Sequence, residues 1–351
     1  MTSVKVMVAA LALAAGSVHS AAPGASVGDA LQRPALMVRD PARAVLLSAA
    51  WAGTRMVAVG ERGLVATSAD QGKTWQQVPC PVSVTLTMVR FADAQHGVAV
   101  GHGGTVLTSA DGGQSWTVRL DGRRLAEVAR RGASSPQTVA EAERLAADGP
   151  DKPFLDVVVW DAQRMLAVGA YGLAMHTRDG GETWEPWMGR LPNPRGMHWY
   201  AVRRAGNTLL LAGEQGLLAR STDDGASFQA LASPYKGSWF TAEMAANGQW
   251  LLAGLRGNVW RSTDGGQQWS AVNVPVPASI VASATDRTGR TLLASQAGLL
   301  LRLQGDAAVP LKGEPLPLPA GLLPHADGAL TVLGMAGIAV LPATAVSGGQ
   351  P

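Results

Sequence analysis

The sequence predicts an all-β fold: a seven-bladed β-propeller with Asp-box turns and a helical insertion between blades 2 and 3. Three observations carry this reading. A glycine turn recurs seven times, an Asp-centred turn recurs five times in phase with it, and most copies are about 41 residues apart. Composition agrees. Of 351 residues, 42 are Gly and 21 are Pro, an excess that demands many tight turns. Charged residues make up 16% and apolar residues 47%, and the longest uninterrupted apolar run is Val6 to Ala15. These values exclude a polar disordered chain, a coiled coil and a multispanning helical membrane protein.

Residues 1–20 read as a secretory signal: Lys5 precedes the apolar stretch, and Val18-His19-Ser20-Ala21 offers small residues for cleavage near Ser20/Ala21. A membrane anchor is the weaker reading, since a span needs about 20 apolar residues. The mature chain is therefore expected in the periplasm or outside the cell. Residues 21–44 form an N-terminal segment in which Ala35-Leu-Met-Val38 could act as the closing strand, residues 45–342 the propeller, and 343–351 a flexible tail. Without Lys5 the balance is 28 basic against 26 acidic residues, which leaves no dense cationic field for nucleic acid. The one cysteine, Cys80, lies between Pro79 and Pro81 and cannot form an internal disulfide. No Cys or His spacing suggests a metal, and no cofactor is implied. His96, His176 and His325 are scattered through different repeats and read as turn or core residues.

The Asp-centred turns are Ser68-Ala-Asp70-Gln-Gly72-Lys-Thr-Trp75, Ser109-Ala-Asp111-Gly-Gly113-Gln-Ser-Trp116, Thr177-Arg-Asp179-Gly-Gly181-Glu-Thr-Trp184, Ser221-Thr-Asp223-Asp-Gly225-Ala-Ser-Phe228 and Ser262-Thr-Asp264-Gly-Gly266-Gln-Gln-Trp269. Successive Asp residues are 41, 68, 44 and 41 apart, so one interval carries an insertion of about 27. Each Asp is placed to accept backbone N–H groups two or three residues on, Gly supplies positive φ, and the aromatic ring packs back on the sheet. One carboxylate per turn makes a staple rather than a calcium cage.

Upstream of each box an apolar run ends in a glycine turn, as in Met56-Val-Ala-Val-Gly60-Glu-Arg-Gly63 and Leu166-Ala-Val-Gly169-Ala-Tyr-Gly172. Two further copies, at Leu292 to Gly298 and Val332 to Gly337, lack a box. In the third copy the expected strands are Leu155 to Trp160, Met165 to Gly169, Leu173 to Thr177 and a short one after Trp184. Four strands per copy and seven copies give a propeller. A linear solenoid competes, but the repeats are longer than a β-helix coil and contain no helix.

This alternation of V-G-x-x-G turns with S-x-D-G-G-x-x-W boxes resembles the bacterial neuraminidase repeat propellers and, more narrowly, the photosystem II assembly and stability factor family. The resemblance covers about Val45 to Leu341. It implies a non-catalytic scaffold that holds a membrane protein on an arginine-rich face during assembly; for an exported bacterial relative, the implied client is an inner-membrane complex such as a resistance-nodulation-division exporter. Asp boxes do not specify activity, so a glycan-binding or sialidase-like propeller is the alternative. Such an enzyme needs an arginine triad, a Tyr–Glu nucleophile pair and an acid. Only Tyr171, Tyr200 and Tyr235 are present, and Gln32-Arg33-Pro34 lacks the expected Ile. A cluster of Arg, Tyr, Glu and Asp at the channel mouth would favour that alternative.

Strand order places the second-to-third strand turns on the same rim as the interblade links, and the boxes on the opposite rim. The first rim gathers Glu61, Arg62, His102, Tyr171, Glu214, Gln215 and Arg256 and is the expected binding face. The insertion, 120–152, is expected to form a helical hairpin over it. Arg123 to Arg131 suits a helix with Leu125 and Val128/Ala129 on one stripe, and Ser135-Pro136 a cap that starts a second, ending at Gly149-Pro150. The candidates for partner contact are Arg123, Arg124, Arg130, Arg131, Arg195, Arg203, Arg62, Tyr171, Trp199 and Arg256, with Trp187 beside them. A solvated helix face is the competing reading of the arginines. The free protein is expected to be a monomer.

Overall fold

Met165 to Gly169 is buried at every position, which so short an apolar run achieves as a strand covered on both faces. The same holds for the second strand of blade 2 (Gly97–Gly101) and of blade 5 (Trp250–Gly254). In the computed structural model, which describes residues 29–347, these strands and their four counterparts are the second strands of seven antiparallel sheets. The blades span residues 46–77, 86–120, 154–186, 199–230, 239–271, 280–310 and 319–341. The expected signal segment and its cleavage point lie outside the described residues.

Within each blade the strands lie side by side in chain order. The first strand of each blade touches the first strand of the next, and that of blade 7 (Pro319–Pro324) touches that of blade 1 (Leu46–Ala52), so the ring closes with the first strands around a central channel. Blade 3 has strands Phe154–Val159, Met165–Gly169, Ala174–Thr177 and Glu185–Pro186, each within about a residue of expectation. The glycine that ends the second strand has a steric cause: a Cβ on Gly60 would stand 2.0 Å from the Val45 carbonyl oxygen. Seven apolar clusters form the core, most of them bridging two adjacent blades.

Two expectations are corrected. Blade 7 has three strands, and Ala35–Val38 does not supply a fourth. Its polar groups are engaged at blade 1 instead: Ala35 N–H donates to the Cys80 carbonyl at 3.0 Å and Val38 N–H to Gln77 Oε1 at 2.7 Å. Closure comes from packing of Leu46, Ala49 and Met56 on Leu323 and Leu333, with the Trp51 indole N–H donating to the Pro324 carbonyl at 3.0 Å. The second correction concerns the tail. Ala343–Ser347 is a helix whose Val346 is buried with Leu330 and Val332 of blade 7 and Leu292 of blade 6.

The insertion folds as helices α1 (Gly122–Gly132) and α2 (Pro136–Ala147). Ser135 caps α2 reciprocally with Thr138, and Pro136 opens it. Rather than projecting freely, the hairpin buries Leu125, Ala129, Ala142 and Leu145 against Leu173, Met175 and Trp184 of blade 3. No helix among the described residues is long and apolar enough to cross a membrane.

Candidate functional site

The five boxes share a hydrogen-bond core. In the first, Ser68 Oγ accepts from Gly72 N–H at 2.9 Å, Asp70 Oδ1 accepts from Thr74 N–H at 2.9 Å, and Asp70 Oδ2 accepts from Thr74 Oγ1 at 2.6 Å. The Trp75 indole N–H closes the turn on the Gly72 carbonyl at 3.1 Å. Asp111, Asp179 and Asp223 repeat both carboxylate bonds, and Asp264 repeats the N–H bond alone because Gln268 has no hydroxyl. The bonds reach three and four residues on, and in each box the Ser or Thr at its head donates to the Asp carboxylate and accepts the Gly N–H four residues on. Hydroxyl and N–H donors from Thr74 and Ser227 hold Asp70 and Asp223 down at about 2. Trp116 and Trp184 are buried and Trp75 and Trp269 half-buried, while the Trp269 indole N–H has no partner among the described residues.

On the other rim, Arg62, Tyr171, Gln215 and Arg256 occupy the same place in the glycine turns of blades 1, 3, 4 and 5. All four have left-handed backbone, with φ of 54°, 56°, 50° and 57°. Each such residue costs about 1–2 kcal/mol, which Gly would avoid; in blade 2 that place is taken by Gly103, at φ 63°. There Leu31 of the N-terminal segment would meet a Cβ at 2.8 Å. Side chains are thus kept, at a cost, where the rim is open. Arg62 and Arg256 are exposed. Tyr171 is 47% exposed, with its ring 4.9 Å from that of His198 and 5.8 Å from Lys152 Nζ.

The α1 arginines are exposed beside this rim. Asp121 caps α1 on Arg123 and Arg124 N–H, and Arg130 and Arg131 occupy its last turn, where cations favour the helix dipole. Arg123 pairs with Asp29, Arg131 with Glu127 at 3.5 Å, and Arg124 donates to the Arg119 carbonyl at 2.8 Å. Arg130 has no ion pair among the described residues. Arg195, in the link between blades 3 and 4, is exposed.

Three candidates lie elsewhere. Trp199 is 0% exposed because it starts the inner strand of blade 4 and is wedged among Leu166, Val168 and Trp187. Trp187 is buried too, stacked on His176 at 4.1 Å in space left open by Gly225, whose Cβ would come within 2.7 Å of the indole. Neither indole can meet a partner. Arg203 faces the channel rather than the rim: its side chain is 15% exposed, pairs with Asp156 and lies 3.9 Å from Glu243.

The channel wall was not legible beforehand. Arg90, Asp156, Arg203 and Glu243 come from the inner strands of blades 2, 3, 4 and 5 and form a ladder of alternating charge. A charged residue inside an inner strand with no other charge, as in Leu86-Thr-Met-Val-Arg90-Phe91, is the signal that could have found it. The ladder borders a cavity of about 660 Å³ that opens beside Gly53, Gln71 and Asp327, on the Asp-box side. None of the three tyrosines lines it.

Fold and surface together define a seven-bladed Asp-turn propeller with a staple on one face and a varied, arginine-bearing rim on the other. The family model for photosynthesis system II assembly factor YCF48 matches residues 66–131 and 141–303, and the chain belongs to that family. Solved structures repeat the fold. A structure of YCF48 bound to D1 peptide is 16% identical, with a TM-score of 0.63 over 88% of this chain and 99% of that one. YCF48 from Cyanidioschyzon merolae is 15% identical, with a TM-score of 0.63 over 88% and 98%. Streptogramin B lyase is 12% identical, with a TM-score of 0.65 over 90% and 99%. No curated protein sequence matches the chain.

Proposed function

We propose that the protein is a non-catalytic scaffold that acts in the periplasm and holds a segment of an inner-membrane protein complex during assembly or operation. The observation that carries this reading is the rim: four strained, mostly charged or aromatic side chains at equivalent turns, flanked by the exposed arginines of α1 and by Arg195. Strain retained at equivalent surface positions points to use, and Arg and Tyr are, with Trp, the residues most enriched at interface anchors. Family membership and the D1 peptide bound by a relative support a protein partner. The periplasmic assignment rests on residues 1–20 of the sequence. A resistance-nodulation-division type exporter is the client we favour. No metal, Tyr nucleophile or cofactor has a part in this reading.

Capture from detergent-solubilised membranes tests it. Wild type should retain a defined inner-membrane complex, and a variant with Arg62→Glu, Arg124→Glu, Arg195→Glu and Arg256→Glu should lose it. Identical recovery by both forms would remove the rim from the mechanism.

A further inference from the structure

The channel cavity has no part in the rim reading, and it is the site whose chemistry is most defined. Arg90 borders it with a side chain 35% exposed and, among the described residues, one hydrogen bond, at 3.4 Å to Asp156, which leaves most of its five N–H donors unused there. Glu243 faces it with both oxygens held by hydroxyls, Oε1 by Ser283 at 2.7 Å and Oε2 by Thr285 at 3.3 Å. A carboxylate oxygen has further lone pairs, and each hydroxyl can accept. Trp51, Leu322 and Pro324 add apolar surface to the same wall, with His325 edge-on to the Trp51 ring at 5.1 Å.

Charge decides what fits. The ladder carries two arginines and two carboxylates and is neutral as a unit. At the mouth Arg287 and Asp327 carry one charge of each sign, while Asp286 is held by Arg290 at 2.6 Å. A ligand with net charge would find no uncompensated counter-charge and would lose its hydration. A neutral ligand with many hydroxyls meets planar donors and acceptors on one side and lays an apolar C–H face on the other. The volume of about 660 Å³ falls within the roughly 300–1,000 Å³ of small-ligand pockets.

We propose that the central channel binds a neutral sugar of about disaccharide size from the Asp-box side, using Arg90 and Glu243 as hydrogen-bonding partners and the Trp51 wall as the ring platform. Binding leaves the rim free, so the protein can hold sugar and partner together.

Calorimetry on the full chain with maltose, cellobiose and N,N′-diacetylchitobiose, alongside glutarate and the zwitterion Ala-Ala, tests the proposal. At least one disaccharide should bind with a Kd of about 1 mM or tighter and change the intrinsic tryptophan fluorescence. Ala50→Trp, which fills the cavity from the blade 1 wall, should weaken it by about tenfold or more; should that variant melt early, Leu322→Phe supplies the same block. The proposal is overturned if none of the three sugars binds, if the anion or the zwitterion binds in their place, or if the folded blocking variant binds as wild type does. Failure of the wild-type protein to capture a membrane partner, with sugar binding intact, would overturn only the rim reading.

Discussion

Asp156 on the inner strand of blade 3 and Arg203 on that of blade 4 form an ion pair in which the carboxylate is 1% exposed and also accepts Val202 N–H at 3.0 Å. The pair joins two blades and carries Arg90 on its other side. Removing one member of such a network leaves charge buried without compensation, so Asp156→Ala should cost about 3–5 kcal/mol. Urea unfolding measures it. A loss below about 1 kcal/mol would mean that water already compensates both arginines.

Strain at the rim can be read separately from binding. Arg256 is exposed with φ of 57°, and Arg256→Gly should stabilise the fold by about 0.5–1 kcal/mol, the relief of left-handed backbone less the entropy of glycine. Thermal melting should rise while partner capture weakens. A falling melting temperature would show that the arginine holds the turn.

Acid should loosen the boxes. Asp70 and Asp223 stand at about 2 in the fold against an ordinary 3.8. A depressed folded value stabilises above the unfolded one, so the contribution is complete above about pH 4 and is lost as pH falls toward 2. Melting temperatures across this window should drop less steeply for Asp70→Asn with Asp223→Asn than for wild type. Parallel curves would rule these carboxylates out of the acid response.

Cys80 reports on the N-terminal segment. Burial raises its thiol to about 11, and the segment crosses it through Ala35 N–H, while Ala30 accepts Ser83 N–H at 2.8 Å. In the native protein the thiol should react negligibly with a disulfide reagent at pH 8. Deleting residues 29–38 should expose it and lower the melting temperature. Prompt reaction of the intact protein would show that the segment opens readily.

The repeat made the fold legible because each requirement is local. A glycine that must clear a carbonyl, a box whose donors lie within four residues and an apolar run that must be buried all leave marks at fixed spacing. The hairpin was equally readable from Ser135-Pro136 and the Leu125/Ala129 stripe. Trp199 and Trp187 were misread because residue type does not reveal whether a large ring meets solvent or the neighbouring blade. Ala35–Val38 was misplaced for a related reason: an extended apolar segment suits either sheet edge, and the carbonyl of Cys80 and the amide of Gln77 decide between them.

The sequence by itself determined the number of blades, their order, the insertion and which turns share a rim, since periodicity and turn chemistry are properties of neighbours along the chain. Tertiary structure alone decided that Arg90, Asp156, Arg203 and Glu243 meet. They lie on four different repeats, up to about 150 residues apart, and only closure of the ring brings their strands side by side around one channel, where a carboxylate as buried as Asp156 must be balanced by its neighbours.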